Sequence, residues 1–331
     1  MQKSERNLQI DSLRGISIFT MILIHTNAYF LHIPVAFALW DISEFAVPAF
    51  IFCSAYIFFL KFGTLQKVPD AHYVWKRIKR LLIPYYFFLA VNLLFIYIGQ
   101  PKRVTIPFVI KNLFVIGGID FNWLVLLFIE LIPIMILLEY LGRRSRFLFF
   151  IYSFIAFTSS FLLLFFIIPV NYRYIMWLPW STVAVFAWLF VKNEKKSWFF
   201  PLAMVSSLAI FLFSRVILLL QQLSVTQFNN KYPPNLYHIS FGIFSIVLLY
   251  FLLQQSFFKL KAFEKPIYFL SRYSYEVFFI HILVIYIFRT FFKTIHFTWV
   301  SFFIVVFTLT IISQLAINSI KNVSINRSID T

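Results

Sequence analysis

Apolar residues run along this chain in stretches of about 20, too continuous for the narrow stripe of a soluble amphipathic helix. The runs fall at about 8–30, 42–62, 80–99, 122–141, 147–168, 174–191, 197–221, 236–254, 273–292 and 297–318. A helix of roughly 20 apolar residues crosses the hydrocarbon core of a bilayer. The pattern therefore predicts an all-α polytopic membrane protein with about ten transmembrane helices. The run at 104–116 is shorter and broken by Pro107, and it reads as a re-entrant or interfacial piece of a longer loop. No internal repeat and no separate soluble domain stands out, so residues 1–331 read as one integral-membrane domain.

Composition agrees. The chain is 61% hydrophobic and 12% charged, whereas soluble domains carry roughly 45–50% apolar and ~25% charged residues. The 47 phenylalanines suit lipid-facing surfaces. No cleaved signal peptide is expected, because the first apolar run is too long and carries Arg14. Cys53 is the only cysteine, which rules out an intramolecular disulfide. A net charge of +17 would suit nucleic acid, but its distribution points to topology. Twenty of the 29 Lys and Arg residues fall in one alternating set of loops and ends, which includes Lys3, Arg6, Lys67 and Lys259. Seven fall in the other: Lys102, Arg103, Lys111, Arg173, Lys231, Arg289 and Lys293. Lys and Arg concentrate in cytoplasmic loops, which puts both termini in the cytoplasm and makes lipid, rather than nucleic acid, the expected partner. With seven glycines in all, the Gly-interrupted spans typical of many transporters are not evident.

The chemistry is sought among polar residues that a membrane interior rejects. Arg14 and His25 lie in the first run, in RGISIFTMILIH. Eleven residues amount to about 1100°, ~20° beyond three turns, so both side chains share one helix face roughly 16 Å apart along the axis. A buried imidazole at that depth is available as base or nucleophile. Asp11 shares the face of Arg14 and reads either as its partner or as an interfacial anchor. Arg77 and Arg80, three apart in WKRIKRLLIPYY, read either as ordinary basic residues at a cytoplasmic helix end or, with Arg14, as an anion clamp. Ser274 and His281 are seven apart and nearly co-facial in the ninth run, with Glu276 off that face. Trp123 and Glu130 share a face of the fourth run, and Arg215 is a candidate partner for that glutamate. No metal-ligand spacing is present.

Together these segments resemble the acyltransferase-3 family of integral-membrane enzymes. The resemblance begins with IDSLRG at 10–15 and the Arg14–ten residues–His25 arrangement. It continues through VPAFIFCSAYIFF at 47–59, the Arg77–two residues–Arg80 element, NWL at 122–124 and SYEVFFIH at 274–281. Ala55 stands where the family's Ser-Gly-Tyr segment has glycine. The resemblance implies transfer of an acyl group, most often acetyl, to a hydroxyl of a cell-surface or lipid-linked carbohydrate, in the cytoplasmic membrane of a bacterium. It further implies acyl-CoA as donor, with its phosphates on Arg14, Arg77 and Arg80, and Arg14 and His25 as the catalytic residues. His25 would serve either as general base or as acyl-accepting nucleophile. Asp11, Trp123, Glu130, Ser274, Glu276 and His281 are candidates for orienting His25 or holding the acceptor. No appended hydrolase-like domain is read in these residues, so the membrane portion is expected to finish the transfer or hand it on. An exporter or flippase of a carbohydrate-lipid is the alternative on the same scaffold. Oligomeric state is not readable.

Overall fold

A computed structural model describes residues 7–64, 69–166, 171–255 and 261–329. Lys3, Arg6, Lys67 and Lys259, which contribute to the charge asymmetry, lie outside them. The described residues are helical with no named strand. In order the helices are α1 (Leu8–Asn27), α2 (Pro34–Ile42), α3 (Ala46–Thr64), α4 (Ala71–Gly99), α5 (Ile106–Leu113), α6 (Asn122–Arg144) and α7 (Arg146–Leu162). There follow α8 (Trp177–Asn193), α9 (Phe199–Leu220), α10 (Leu236–Leu252), α11 (Lys261–Arg272), α12 (Ser274–Phe291) and α13 (Trp299–Ile329). Helices satisfy their own backbone groups, the requirement hydrocarbon imposes. Their ends are closed by side chains. Asn7 accepts from the Ile10 amide, Asp70 from Tyr73, Ser145 from Leu148 and Asn235 from His238.

A helix lies over each of the ten apolar runs. Among the described residues, six stretches are long and apolar enough to cross a membrane: Pro34–Gly63, Ala71–Gly99, Asn122–Arg144, Phe199–Leu220, Ser274–Phe291 and Trp299–Lys321. They differ in how much they bury. The Pro34–Gly63 stretch is 72% buried over its apolar window, against 22% in α9 and in α13. The α2–α3 run therefore belongs to the centre of the bundle, while α9 and α13 present most of their apolar surface outward.

Three local predictions need correction. The run at 42–62 is not one helix from residue 42. Proline at the first turn starts α2 at Pro34, a 3₁₀ turn at Ser43–Phe45 interrupts it, and α3 resumes at Ala46. The interruption turns Glu44 fully inward. Pro107 does not break the 104–116 run. It occupies the first turn of α5, where a proline forfeits no helical hydrogen bond, and Thr105 caps that helix through the Phe108 amide. Finally, residues between the eighth and ninth runs form α11, whose apolar stripe is too short to register as a span.

Helix α11 lies along α1 at very close range. A Cβ at Gly15 would stand 2.4 Å from the Ile267 carbonyl oxygen, so only glycine admits this approach beside Arg14. At Gly242 a Cβ would stand 2.4 Å from Pro48 Cγ, which ties α10 to α3. Ala55, where the family pattern has glycine, is itself fully buried, so the extra methyl is accommodated. Gly15→Ala should lower the thermal unfolding midpoint of the detergent-purified protein, by the equivalent of about 1–3 kcal/mol of overpacking. Gly63→Ala, where the nearest atom is the flexible Lys192 Nζ at 3.6 Å, should leave it unchanged. Equal midpoints for the two variants would show that the α1–α11 contact is not tight.

Candidate functional site

Helices α1 and α12 meet through two imidazoles. His25 Nδ1 lies 2.8 Å from His281 Nε2, and the rings stack at 5.0 Å between centroids with 26° between planes. His281 is fully buried and His25 half-buried. The second His281 nitrogen, Nδ1, lies 3.0 Å from the Val277 carbonyl oxygen. A carbonyl only accepts, so His281 Nδ1 carries the proton and, in a neutral ring, Nε2 is bare. His25 Nδ1 is then the donor that satisfies it, and the Met21 carbonyl is a further backbone acceptor for the His25 ring. A neutral His25 held in this tautomer has a free lone pair on Nε2, the group that base or nucleophilic chemistry needs.

Next to this pair is a cavity of about 600 Å³. Its wall takes Arg14 from α1, Ser54 and Lys61 from α3, Tyr73, Lys76, Arg77 and Arg80 from α4, and Ser274 and Tyr275 from α12. Five cationic side chains face it, and no Asp or Glu among the described residues lines it. Arg77 is aimed by its neighbours: Nη2 donates to Ser54 Oγ at 2.6 Å, Nη1 donates to Tyr73 Oη at 3.3 Å, and the guanidinium lies 5.5 Å from the Phe58 ring centroid. The cavity runs inward to Leu124, Phe128 and Phe278. Phe278 is also 6.4 Å from the His25 ring and 5.7 Å from that of His281. One aromatic ring thus stands between the cationic chamber and the histidines.

The four residues read as co-facial or clustered in the sequence, Arg14, Arg77, Arg80 and Ser274, all line this one cavity. His281, read only as a possible orienting group, is the direct partner of His25. Asp11 accepts from Ser271 Oγ at 3.2 Å, which fastens α1 to α11. Glu276 lies half-buried in the first turn of α12. Glu130 is not brought to the pair; its buried Oε2 has no hydrogen-bond partner. Arg215 is not its partner either, because it lies against Tyr237 and Asp41 instead.

Trp123 belongs to a second cluster that the sequence does not reveal. Its ring stacks on Trp180 at 6.5 Å and meets Tyr232 edge-on at 5.0 Å. Lys231 Nζ lies 5.5 Å from the Trp123 centroid and forms a buried 2.7 Å ion pair with Glu44. Burial by itself pulls the Lys231 ammonium pKa down; Glu44 and Tyr232 more than offset that and hold it above its ordinary value. In the sequence Lys231 counts only as a loop charge, and nothing there singles out Glu44. No local pattern joins residues 187 positions apart. The pair locks the loop before α10 onto the α2–α3 break, near enough to the centre for the Lys231 charge to act on the His25 ring. Among the described residues no group of three His, Cys, Asp or Glu is placed to hold a metal ion.

A helical bundle with apolar spans, a buried histidine pair and a cation-lined chamber defines an integral-membrane protein with an enzyme-like site. The family profile described as an acyltransferase domain, acyltransferase-3, matches residues 7–318. The chain belongs to that family and is a membrane acyltransferase. No curated protein and no solved structure matches it.

Histidine-selective ¹⁵N NMR should find His25 with its proton on Nδ1 and a bare Nε2, and His281→Ala should abolish that preference. An unchanged His25 pattern in the variant would sever the pair. Lys231→Met should cost about 3–5 kcal/mol in denaturation by leaving the buried Glu44 carboxylate alone. The double variant with Glu44→Leu should recover most of the loss, and failure to recover would mean the two side chains are not energetically coupled.

Proposed function

We propose that the protein transfers an acyl group, most readily acetyl, from acyl-CoA to a hydroxyl of a cell-surface or lipid-linked carbohydrate. The observation that carries this reading is the His25–His281 pair beside a chamber lined by five cations. Charge-assisted hydrogen bonds from arginine are strong and geometrically matched to phosphate, so Arg14, Arg77 and Arg80 hold the CoA phosphates while Lys61 and Lys76 add to the positive field. The pantetheine arm runs inward past Phe278 and brings the thioester to the histidines.

There His25 Nε2 removes the proton from the acceptor hydroxyl as that oxygen attacks the thioester carbonyl. Collapse of the tetrahedral intermediate breaks the carbon–sulfur bond, and the departing thiolate takes the proton back from His25. His281 keeps His25 in the required tautomer and shares the transient positive charge. The same lone pair serves equally if His25 first accepts the acyl group and then passes it on; an acyl-histidine trapped in the absence of acceptor would select that route. The excess of Lys and Arg in one set of loops supports placing the chamber on the cytoplasmic side of a ten-span bundle, with both termini there, in a bacterial inner membrane.

In proteoliposomes supplied with labelled acetyl-CoA, His25→Ala should abolish acetyl transfer to surface glycan, and retained transfer would refute the central role given to it. Arg77→Ala should raise the KM for acetyl-CoA about tenfold or more, the effect of losing a charge-assisted contact worth ~1.5–3 kcal/mol. Arg77→Lys should restore part of it, and an unchanged KM would return Arg77 to a purely topological role. Glycan-lipid translocation without donor turnover would favour an exporter instead.

A further inference from the structure

A second cavity, of about 430 Å³, lies at the other end of the same two helices. Phe30, Phe288 and Phe302 line it together with Arg289, Lys293 and His296. Its position follows a regular order. On α12, Ser274 lines the first cavity, His281 makes the histidine pair and Phe288 lines the second cavity. These residues are seven apart, about 10.5 Å per step and ~20° short of two turns, so one face of α12 passes all three places. The chain from α1 repeats the order with Arg14, His25 and Phe30. The histidines thus stand between two chambers, one at each end of the α1–α12 contact.

The second chamber is also cationic, and no Asp or Glu among the described residues lines it. Membrane topology does not account for this. The positive-inside tendency depletes Lys and Arg from the end opposite the Arg14–Arg77–Arg80 chamber. Of the cations at that end, Arg173 is buried with Asn122 and Lys231 with Glu44, while Lys102, Arg103 and Lys111 are exposed but do not line the cavity. Arg289 and Lys293 instead remain exposed around the cavity, with the Arg289 guanidinium 4.4 Å from the Tyr29 ring centroid. Cations over an aromatic floor fit an anionic group attached to a less polar body.

We propose that this second chamber binds an anionic group, a phosphate or carboxylate, of the acceptor molecule, so that the acceptor is a negatively charged glycan or glycolipid rather than a neutral one. The proposal rests on the acyl-transfer reading for its direction, since it assigns donor and acceptor to opposite ends of the His25–His281 pair. Arg289 and Lys293 anchor the charge, and the phenylalanines hold the adjoining ring or chain so that a hydroxyl reaches inward toward His25.

The test is binding to the full-length protein in phosphatidylcholine nanodiscs, with wild type compared with the Arg289→Gln/Lys293→Gln double variant. Glucose 1-phosphate and uncharged methyl glucoside are titrated separately, and retention of phosphatidylglycerol is read by native mass spectrometry. If the anion belongs to a soluble saccharide, glucose 1-phosphate binds at least tenfold more tightly than methyl glucoside, and the double variant loses that difference. If it belongs to a lipid headgroup, phosphatidylglycerol is retained by wild type and lost from the double variant. Arg289→Lys keeps the charge and should keep most of the binding. The proposal is overturned if neither glucose 1-phosphate nor phosphatidylglycerol distinguishes wild type from the double variant. CoA binding, which depends on Arg77, is measured in the same nanodiscs. Loss of the anion effect with CoA binding intact rejects this proposal alone, whereas absence of CoA binding in wild type rejects the donor reading.

Discussion

The hydrogen bond between His25 and His281 is the constraint around which the bundle is arranged. Inside an apolar bundle a polar nitrogen without a partner costs on the order of 1–3 kcal/mol, so two imidazoles there must find acceptors and donors. They find each other, and the Val277 carbonyl closes the chain of donors. Helices α1 and α12 are thereby held in one register, which fixes Arg14 and Ser274 in one chamber and Phe30 and Phe288 in another. Slipping either helix by one residue would break the pair and displace both chamber walls.

The surrounding contacts protect that register from several directions. Gly15 lets α11 press against α1 one residue beyond Arg14, and Ser271 on α11 holds Asp11. Gly242 lets α10 approach α3 at Pro48. From the other side, the Lys231–Glu44 ion pair anchors the loop before α10 to the break between α2 and α3. Buried ion pairs bring little net stability but penalise any arrangement that separates them. Here the penalty falls on movement of the loop whose charge reaches His25, which joins packing to the electrostatics of the site.

Such an arrangement also suits transfer across a membrane. On the proposed reading donor and acceptor both carry anionic groups, and a single entrance would make them compete. On that reading, two chambers separated by one histidine pair would let each be recognised by its own cations, with only the reacting groups meeting in the middle. Phe278 stands between the first chamber and the histidines, and on the proposed reading a drier site there would favour transfer to a hydroxyl over hydrolysis.

Hydropathy runs along the chain place ten of the thirteen helices among the described residues, because a membrane demands about 20 apolar residues per crossing and records that demand locally. Helical periodicity likewise joined Arg14 with His25, and Ser274 with His281, since both members of each pair sit on one helix. A three-residue spacing singled out Arg77 and Arg80, which the fold brings to the wall that Arg14 occupies. The interruption at Ser43–Phe45 is not legible, because the contact it accompanies, Glu44 with Lys231, joins residues 187 positions apart. Arg215 was only a candidate partner for Glu130, because charge and depth identify candidates but not azimuth, and Arg215 interacts with Asp41 and Tyr237 instead. The sequence alone therefore determined the all-helical membrane class, the family and the polar residues that had to be buried. Only tertiary structure decided that His25 meets His281, that four candidates share one chamber, and that a second cationic chamber lies beyond them. Periodicity orders side chains around a single helix axis, whereas the rotation of one helix against another is set by packing between residues far apart in the chain.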